Sequence, residues 1–296
     1  MATLKALRIR IGSVKSSEKI TGAMKMISSA KVHKHEMELK KLVPFRSQVK
    51  SIMAHLLATD MDFHSPLIME REVKSVGVVV FGSDDGLCGA YNINIFKRLL
   101  IELASIHEKY GKDVKLTIFP VGKKIAKAVR KLPSKNLSVE VIPEVDSKME
   151  GTTVNDFGHN LRNRFLNGEL DLIEVVYMNF ISRSRQVAKA EQLFPVSREA
   201  IEGEASGVAD VNKLYIFEPD PNTIFNEVLP MFVLSTLQEI TIENRASEQA
   251  ARVMAMQSAN DNAKKLLESL QIEFHKWRHE GITTELLDIL GGQTEK

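Results

Sequence analysis

The chain has 296 residues, 44% hydrophobic and 26% charged, a composition that fits one or two globular domains and excludes a disordered chain. The net charge is only +2, but the first 60 residues carry twelve basic and four acidic side chains, +8 in all, leaving −6 for the rest. That asymmetry points to an acidic partner along the N-terminal segment. The lone cysteine, Cys88, excludes an intrachain disulfide, and no apolar run reaches the ~18 residues that a membrane span needs.

The start lacks the apolar core of a signal peptide. Its Arg-rich, acid-poor opening has the composition of a mitochondrial presequence, but the helical pattern runs on with no cleavage boundary. Leu4, Leu7, Ile11 and Val14 recur at spacings of 3, 4 and 3, the seam of a coiled coil. The seam lapses over Lys15-Ser16-Ser17-Glu18-Lys19 and resumes out of phase at Ile20, Ala23, Ile27 and Ala30, which predicts a local change in how two helices wind about each other. Lys5, Arg8 and Arg10 crowd the start of this helix, where the dipole disfavours cations, so another group must compensate. Pro44 should kink the helix without ending it, because Val49, Ile52, Met53 and Leu56 continue a helical face.

After a linker at Asp60–Pro66, the apolar run Val76–Phe81 reads as a buried parallel strand. Segments then alternate: helix from Asn92 to Tyr110, strand Val114–Phe119, helix Lys123–Leu132, strand Ser138–Ile142, helix Val154–Asn167 and strand Leu172–Phe180. This order implies an open, mostly parallel sheet with covering helices. Gln186–Val196 and Leu214–Phe217 add strands near an edge. Pro219-Asp220-Pro221-Asn222 marks a turn and a helix start. One helical pattern then runs from Thr223 to Leu290, with a second seam at Ala263, Leu267, Leu270, Phe274 and Trp277. A helix of ~65 residues is roughly 100 Å long, too long to be buried in a compact domain, so it must protrude or pair with the first.

Chemistry-bearing motifs are sparse. Gly82-Ser83-Asp84-Asp85-Gly86-Leu87-Cys88-Gly89 sits between a strand and a helix, where a phosphate loop would lie. Its spacing matches neither GxGxxG nor GxxxxGK[ST], and two adjacent carboxylates repel phosphate, so a tight turn with close approaches at Gly86 and Gly89 is expected. His275 and His279 stand at i,i+4, but nothing nearby completes a metal site; no metal and no cofactor is expected. Residues 1–60 contain one aromatic, Phe45, which gives no support to base stacking on nucleic acid. Six methionines, Met24, Met26, Met53, Met231, Met254 and Met256, fall on the terminal helices, either as seam filling or as an adaptable contact surface.

Three stretches carry a family resemblance. The first comprises Leu4-Lys5, Arg8, Arg10-Ile11, Ser13-Val14-Lys15, Lys19-Ile20-Thr21, Ala23-Met24-Lys25-Met26 and Ala30-Lys31. The second is the loop Ser83–Asn92, close to the pattern SDRGLCGGxN. The third runs from Glu243 to Arg252, then Ala255-Met256 and Ala259–Ala263, and closes with Arg278, Ile282–Leu286 and Gly291-Gly292. Over its whole length the chain resembles the gamma subunits of F-type ATP synthases.

The resemblance implies an α/β fold class: a long antiparallel coiled coil of N- and C-terminal helices (1–60 and 221–291) with an inserted Rossmann-like open α/β domain (70–217). It implies a non-catalytic rotor shaft that couples proton-driven rotation of a membrane c-ring to ATP synthesis in an alpha–beta hexamer. The chain would lie peripherally at the cytoplasmic face of a bacterial inner membrane, with a mitochondrial inner membrane as the alternative, touching the bilayer only indirectly and binding no nucleic acid. The partners implied are alpha and beta subunits, three of each per copy of this chain, the epsilon subunit and the c-ring. Arg8, Arg10, Met24, Lys25, Arg278, His279 and Thr283 would face the beta subunits. Asp84, Asp85, Gly86 and Cys88 would meet epsilon or the c-ring. The apolar tip, Leu286, Leu287, Ile289 and Leu290, would rest in an apolar bearing.

Some positions depart from the family pattern. Asp85 stands where an Arg is usual, so it is expected to have a basic neighbour. Gln249 replaces a His, and Trp277 and His279-Glu280-Gly281 differ from the usual small residue and Gln-Ala. Two readings from other classes remain open on the residues alone: an α/β enzyme with a helical oligomerisation arm, and a basic coiled-coil protein that binds nucleic acid.

Overall fold

The computed structural model describes residues 4–57, 63–132, 136–197, 201 and 217–294, with side chains to Leu290. The order of elements is α1 (Leu4–Leu57), β1 (Ser75–Phe81), α2 (Tyr91–Tyr110), β2 (Lys115–Val121), α3 (Lys123–Val129), β3 (Leu137–Val139), α4 (Gly151–Leu166), β4 (Leu172–Ser182), β5 (Arg185–Phe194) and α5 (Pro221–Thr294). α1 runs through Pro44 without a break. The expected strand at Leu214–Phe217 falls almost wholly outside the described residues. The chain forms two compact units, residues 1–29 with 252–296, and residues 30–251.

In the larger unit the five strands lie in the order β3-β2-β1-β4-β5. β1 pairs in parallel with β2 and β4, β2 in parallel with β3, and β5 joins β4 as an antiparallel edge. β1 is buried on both faces, as its unbroken apolar run requires. Val76, Val78 and Val80 pack with Ile95, Leu99 and Leu103 of α2 and Ile125 and Val129 of α3. Val79 and Phe81 pack on the other side with Phe157, Leu161 and Phe165 of α4, Met53 and Leu56 of α1, and Leu229, Val233 and Leu237 of α5. Gly77 suits this packing, because a Cβ there would press on Leu170 Cδ1 at 2.9 Å and on the Phe119 ring at 3.2 Å. Within this unit α1 and α5 run antiparallel: Arg46 forms an ion pair with Glu239, while His35, earlier in α1, lies near Arg245, later in α5.

The smaller unit is an antiparallel helix pair. Asn260 Nδ2 donates to the Glu18 carbonyl (2.7 Å) and to Thr21 Oγ1 (3.2 Å), and further along Arg8 lies over the Phe274 ring, 5.7 Å from its centroid. The seam expected on α5 is present: Ala263, Leu267, Leu270, Phe274 and Trp277 are all at least half-buried, and Leu270 is 3% exposed. Burying such a leucine contributes roughly 1.5–3 kcal/mol.

The phase break expected in α1 is not there. The covered positions continue in one register as Leu7, Ile11, Val14, Glu18, Thr21, Lys25 and Ser28, at spacings of 4, 3, 4, 3, 4 and 3. Ile20, Ala23 and Ile27 instead point outward, with Ile20 62% exposed. They share a second stripe with Ile9, Ser13 and Ser16, offset by two residues from the seam and therefore roughly 200° around the helix at 3.6 residues per turn. The apolar pattern changes face while the helix pairing stays in phase. Polar residues can occupy the seam because they are satisfied there: Thr21 Oγ1 donates to the Ser17 and Glu18 carbonyls and accepts from Asn260.

Candidate functional site

On the helix pair, Arg8, Arg10, Arg278, His279 and Thr283 are exposed, and Met24 and Lys25 are partly covered. The Phe274 ring face answers the question of what offsets Arg8 near a helix start. The Thr283 hydroxyl donates to the His279 carbonyl one turn back, at 2.9 Å. In the antiparallel register Arg8 stands beside Phe274 and Thr21 beside Asn260, so Arg8, Arg10 and Arg278 gather toward one end. Met24 and Lys25 lie about 25 Å away from them along the pair, at 1.5 Å per residue. The structure therefore forms two separate clusters and not one site. Beyond Arg278, Leu286, Leu287, Ile289 and Leu290 are between 55% and 62% exposed. Met53 and Met256 are buried, whereas Met26, Met231 and Met254 are exposed.

The Gly82–Asn92 loop of the larger unit is occupied by its own hydrogen bonds. Asp84 Oδ1 accepts from the Lys123 backbone N–H and Oδ2 from the Ser147 hydroxyl, both at 2.8 Å. Ser83 N–H donates to Asn92 Oδ1 (3.1 Å), and Asn92 Nδ2 donates to Ser83 Oγ (2.8 Å) and toward Cys88 Sγ (3.5 Å). Cys88 is 3% exposed and its thiol turns inward to shape the loop. Leu87 and Gly89 hold the turn with φ of 64° and 58°. The close approach expected at Gly86 belongs to Gly82, where a Cβ would meet Ile125 Cβ at 2.6 Å; at Gly86 the nearest atom is Lys124 Cε at 3.9 Å. Asp85 is exposed and has the basic neighbour that its charge reversal called for: Lys148 Nζ lies 3.2 Å from its carboxylate. That carboxylate raises the lysine's pKa above its ordinary value.

The residues that sequence reasoning left without a role sit at the carboxyl ends of β1 and β4. β1 leads through α2 to β2 on one side, while β4 and β5 lie on the other. The crevice at such a switch point is where doubly wound sheets bind ligands. Here it is filled by the Asn244 side chain of α5, 1% exposed. Asn244 Oδ1 accepts from Tyr91 Oη (2.7 Å) and from the Met178 N–H (3.2 Å), and Nδ2 reaches toward the Gly82 carbonyl (3.4 Å). Ser247 Oγ donates to the Met178 carbonyl, Asn179 Nδ2 to Glu243, and Arg245 to the Ser147 and Met149 carbonyls. Burial holds the Arg245 guanidinium below its ordinary pKa. The signal was present in the sequence as Asn244 and Ser247, two polar residues in a stretch of α5 where Ala246 and Ala250 are also buried.

Among the described residues no cluster of three or more His, Cys, Asp or Glu side chains could hold a metal, and no helix is long and apolar enough to cross a membrane.

The model of the ATP synthase family matches residues 3–294. An ATP synthase gamma chain of Bacteroides thetaiotaomicron is 35% identical over 303 residues and covers 100% of both chains. One from Cupriavidus pinatubonensis is 33% identical with 99% of each covered. Among solved structures, the rotor of the Euglena gracilis mitochondrial ATP synthase superposes with a TM-score of 0.61 at 18% identity, covering 94% of this chain and 98% of that one. With its helix pair, its sheet and its filled crevice, the chain belongs to the gamma-chain family of the ATP synthases.

Proposed function

We propose that this chain is the central shaft of a rotary ATP synthase, turning with a membrane c-ring and setting by its angle the state of each beta subunit in an alpha–beta hexamer. It couples proton flow to ATP synthesis and supplies no catalytic group. The observation that carries the reading is the second stripe of α1. Ile9, Ser13, Ser16, Ile20, Ala23 and Ile27 form an exposed row of small and apolar residues on the side away from the seam, with Lys5, Arg8, Arg10, Lys15 and Lys19 exposed around it. A solitary helix pair gains nothing from exposing isoleucines. A shaft inside a sleeve gains a surface that slides, because apolar contacts are non-directional and do not hold one angle.

In this reading Arg8, Arg10, Met24, Lys25, Arg278, His279 and Thr283 meet the beta subunits at two heights, and the exposed apolar end turns in an apolar bearing. In the loop, Asp85 and the 62%-exposed Leu87 are the outward groups that would meet epsilon or the c-ring, with Gly86 between them. Asp84 and Cys88 serve the turn itself. The bacterial relatives support a place at the cytoplasmic face of an inner membrane, reached through partners. The test is co-purification from the native host. The tagged chain should bring down alpha and beta subunits at three copies each, with epsilon and the c-ring. Recovery of the chain alone, or with unrelated proteins, would overturn the reading.

A further inference from the structure

α3 and the segment after β3 bound a cleft of about 720 Å³. Its origin is topological. β3 covers β2 only as far as Ile118, and the chain then leaves the sheet at Val141–Pro143. Leu116 N–H donates to the Asn136 carbonyl, and Glu140 N–H to the Ile118 carbonyl, so the even-numbered residues of β2 face the β3 side. The next such residue is Pro120, which lines the cleft and has no N–H. The uncovered edge thus presents an acceptor and leaves no donor orphaned.

One wall of the cleft is cationic. Lys123, Lys127, Arg130 and Lys131 are exposed and lie within one face of α3 and the turn that ends it. Among the described residues none of the four charged side chains forms an ion pair with a carboxylate, although the Lys123 backbone N–H donates to Asp84 Oδ1. A helix C-terminus favours cations, which accounts for Arg130 and Lys131 but not for Lys123 in the first turn. The opposite wall is Val141, Ile142 and Pro143, with Val141 43% exposed. Glu144, at φ +67°, and Asp146 also line the cleft.

We infer that this cleft docks an acidic segment of a partner subunit in the assembled synthase, an inference that rests on the shaft reading above. Carboxylates of the segment meet the four cations, an apolar side chain lies against Val141–Pro143, and a backbone N–H reaches the Pro120 carbonyl. A peptide suits the site better than a phosphate or an anionic bilayer. The two carboxylates in the lining and the lone carbonyl edge repel a concentrated or continuous negative charge, but leave room for acids placed singly along a chain.

The experiment replaces Val141 with a photo-crosslinking amino acid in the tagged chain and irradiates the purified complex, whose alpha and beta content verifies assembly. Mass spectrometry should find one dominant adduct, with an acid-rich peptide of another subunit. The yield should fall about fivefold or more in a Lys127→Glu, Arg130→Glu background, and also in ~0.5 M salt, where exposed charges are screened within a few ångströms. Assembly without an adduct, adducts with lipid, an adduct with a segment lacking net negative charge, or a yield indifferent to charge reversal would overturn the docking inference alone. Failure of the unmodified chain to assemble would overturn the shaft reading and this inference with it.

Discussion

Removing the Asn244 side chain tests whether the crevice between β1 and β4 is held shut by α5. Asn244→Ala deletes the acceptor of two hydrogen bonds, from Tyr91 Oη and from the Met178 N–H. Tyr91 keeps a second acceptor, the Asn244 carbonyl at 3.1 Å, so its loss is softened. Met178 is in a different position: its amide is buried and left without its partner, which costs about 1–3 kcal/mol. The contact to Gly82, at 3.4 Å, is too long to add much. Together with about 1 kcal/mol for the tyrosine bond, the expected loss is roughly 3 kcal/mol. That corresponds to about a 100-fold change in a local opening equilibrium. Because the chain divides into two compact units, a single global unfolding energy is the wrong quantity, and amide hydrogen exchange is the right assay. Exchange at the end of β4 should accelerate about 100-fold in Asn244→Ala and far less in Tyr91→Phe, which leaves the Met178 bond intact. If exchange at Met178 in Asn244→Ala stayed within about threefold of the parent, the crevice would not depend on this side chain, and the argument from its hydrogen bonds would fail.

Burial, and then the neighbouring Glu102 carboxyl, push Glu174 up from 4.5 to about 7. The folded chain therefore holds a proton that the unfolded chain gives up, so this contribution is complete below pH ~4.5 and is lost as the pH rises through ~7. Glu174→Gln should flatten the decline in stability over that window, measured as hydrogen-exchange protection factors of β4 at successive pH values; an unchanged slope would refute it. Gly158→Ala would place a Cβ 2.6 Å from Leu234 Cδ2, and the overpacking should cost about 1–3 kcal/mol. Greater hydrogen-exchange protection of α4, as helix propensity alone predicts, would show that α4 and α5 can yield there. In a reconstituted complex Arg278→Ala should lower assembly or coupling measurably, a charge-assisted contact being worth roughly 1.5–3 kcal/mol. Met24→Lys should do more damage and recover partly in high salt, since exposed attraction is screened within ~10 Å at 0.1 M. ATP turnover equal to the parent at both ionic strengths would place Met24 away from the stator.

The strands were legible because burial on two faces leaves a signal in composition. Val76–Phe81 can be little else, and the α/β alternation orders its neighbours. The seam on α5 was legible for the same reason, as large apolar residues face a partner helix. α1 was misread where the apolar residues and the seam lie on different faces. The row holding Ile20 and Ile27 is apolar yet exposed, while Glu18, Thr21, Lys25 and Ser28 fill the seam. Periodicity records that a face is apolar, not which neighbour it meets. The crevice was missed for a related reason. Asn244 and Ser247 look like surface residues until the sheet supplies the amide and carbonyl that make their burial affordable, and those groups are 66 and 69 positions away in the chain.

Asn260 has a mechanical consequence. Two helices paired through apolar side chains alone can relax a twist by sliding, because leucine against leucine is nearly as good one notch further on. Asn260 removes that freedom. Its amide fits only where the Glu18 carbonyl and Thr21 hydroxyl lie, and Gly22, whose missing Cβ would sit 3.4 Å from Asn260 Nδ2, keeps the backbone low enough for it to enter. A slip in either direction strands a buried amide, the penalty by which single polar residues fix register in coiled coils. Torsion applied to this helix pair is thus held as elastic strain rather than dissipated as creep. The stiffness of the spring is set by the helices, and its zero by one asparagine.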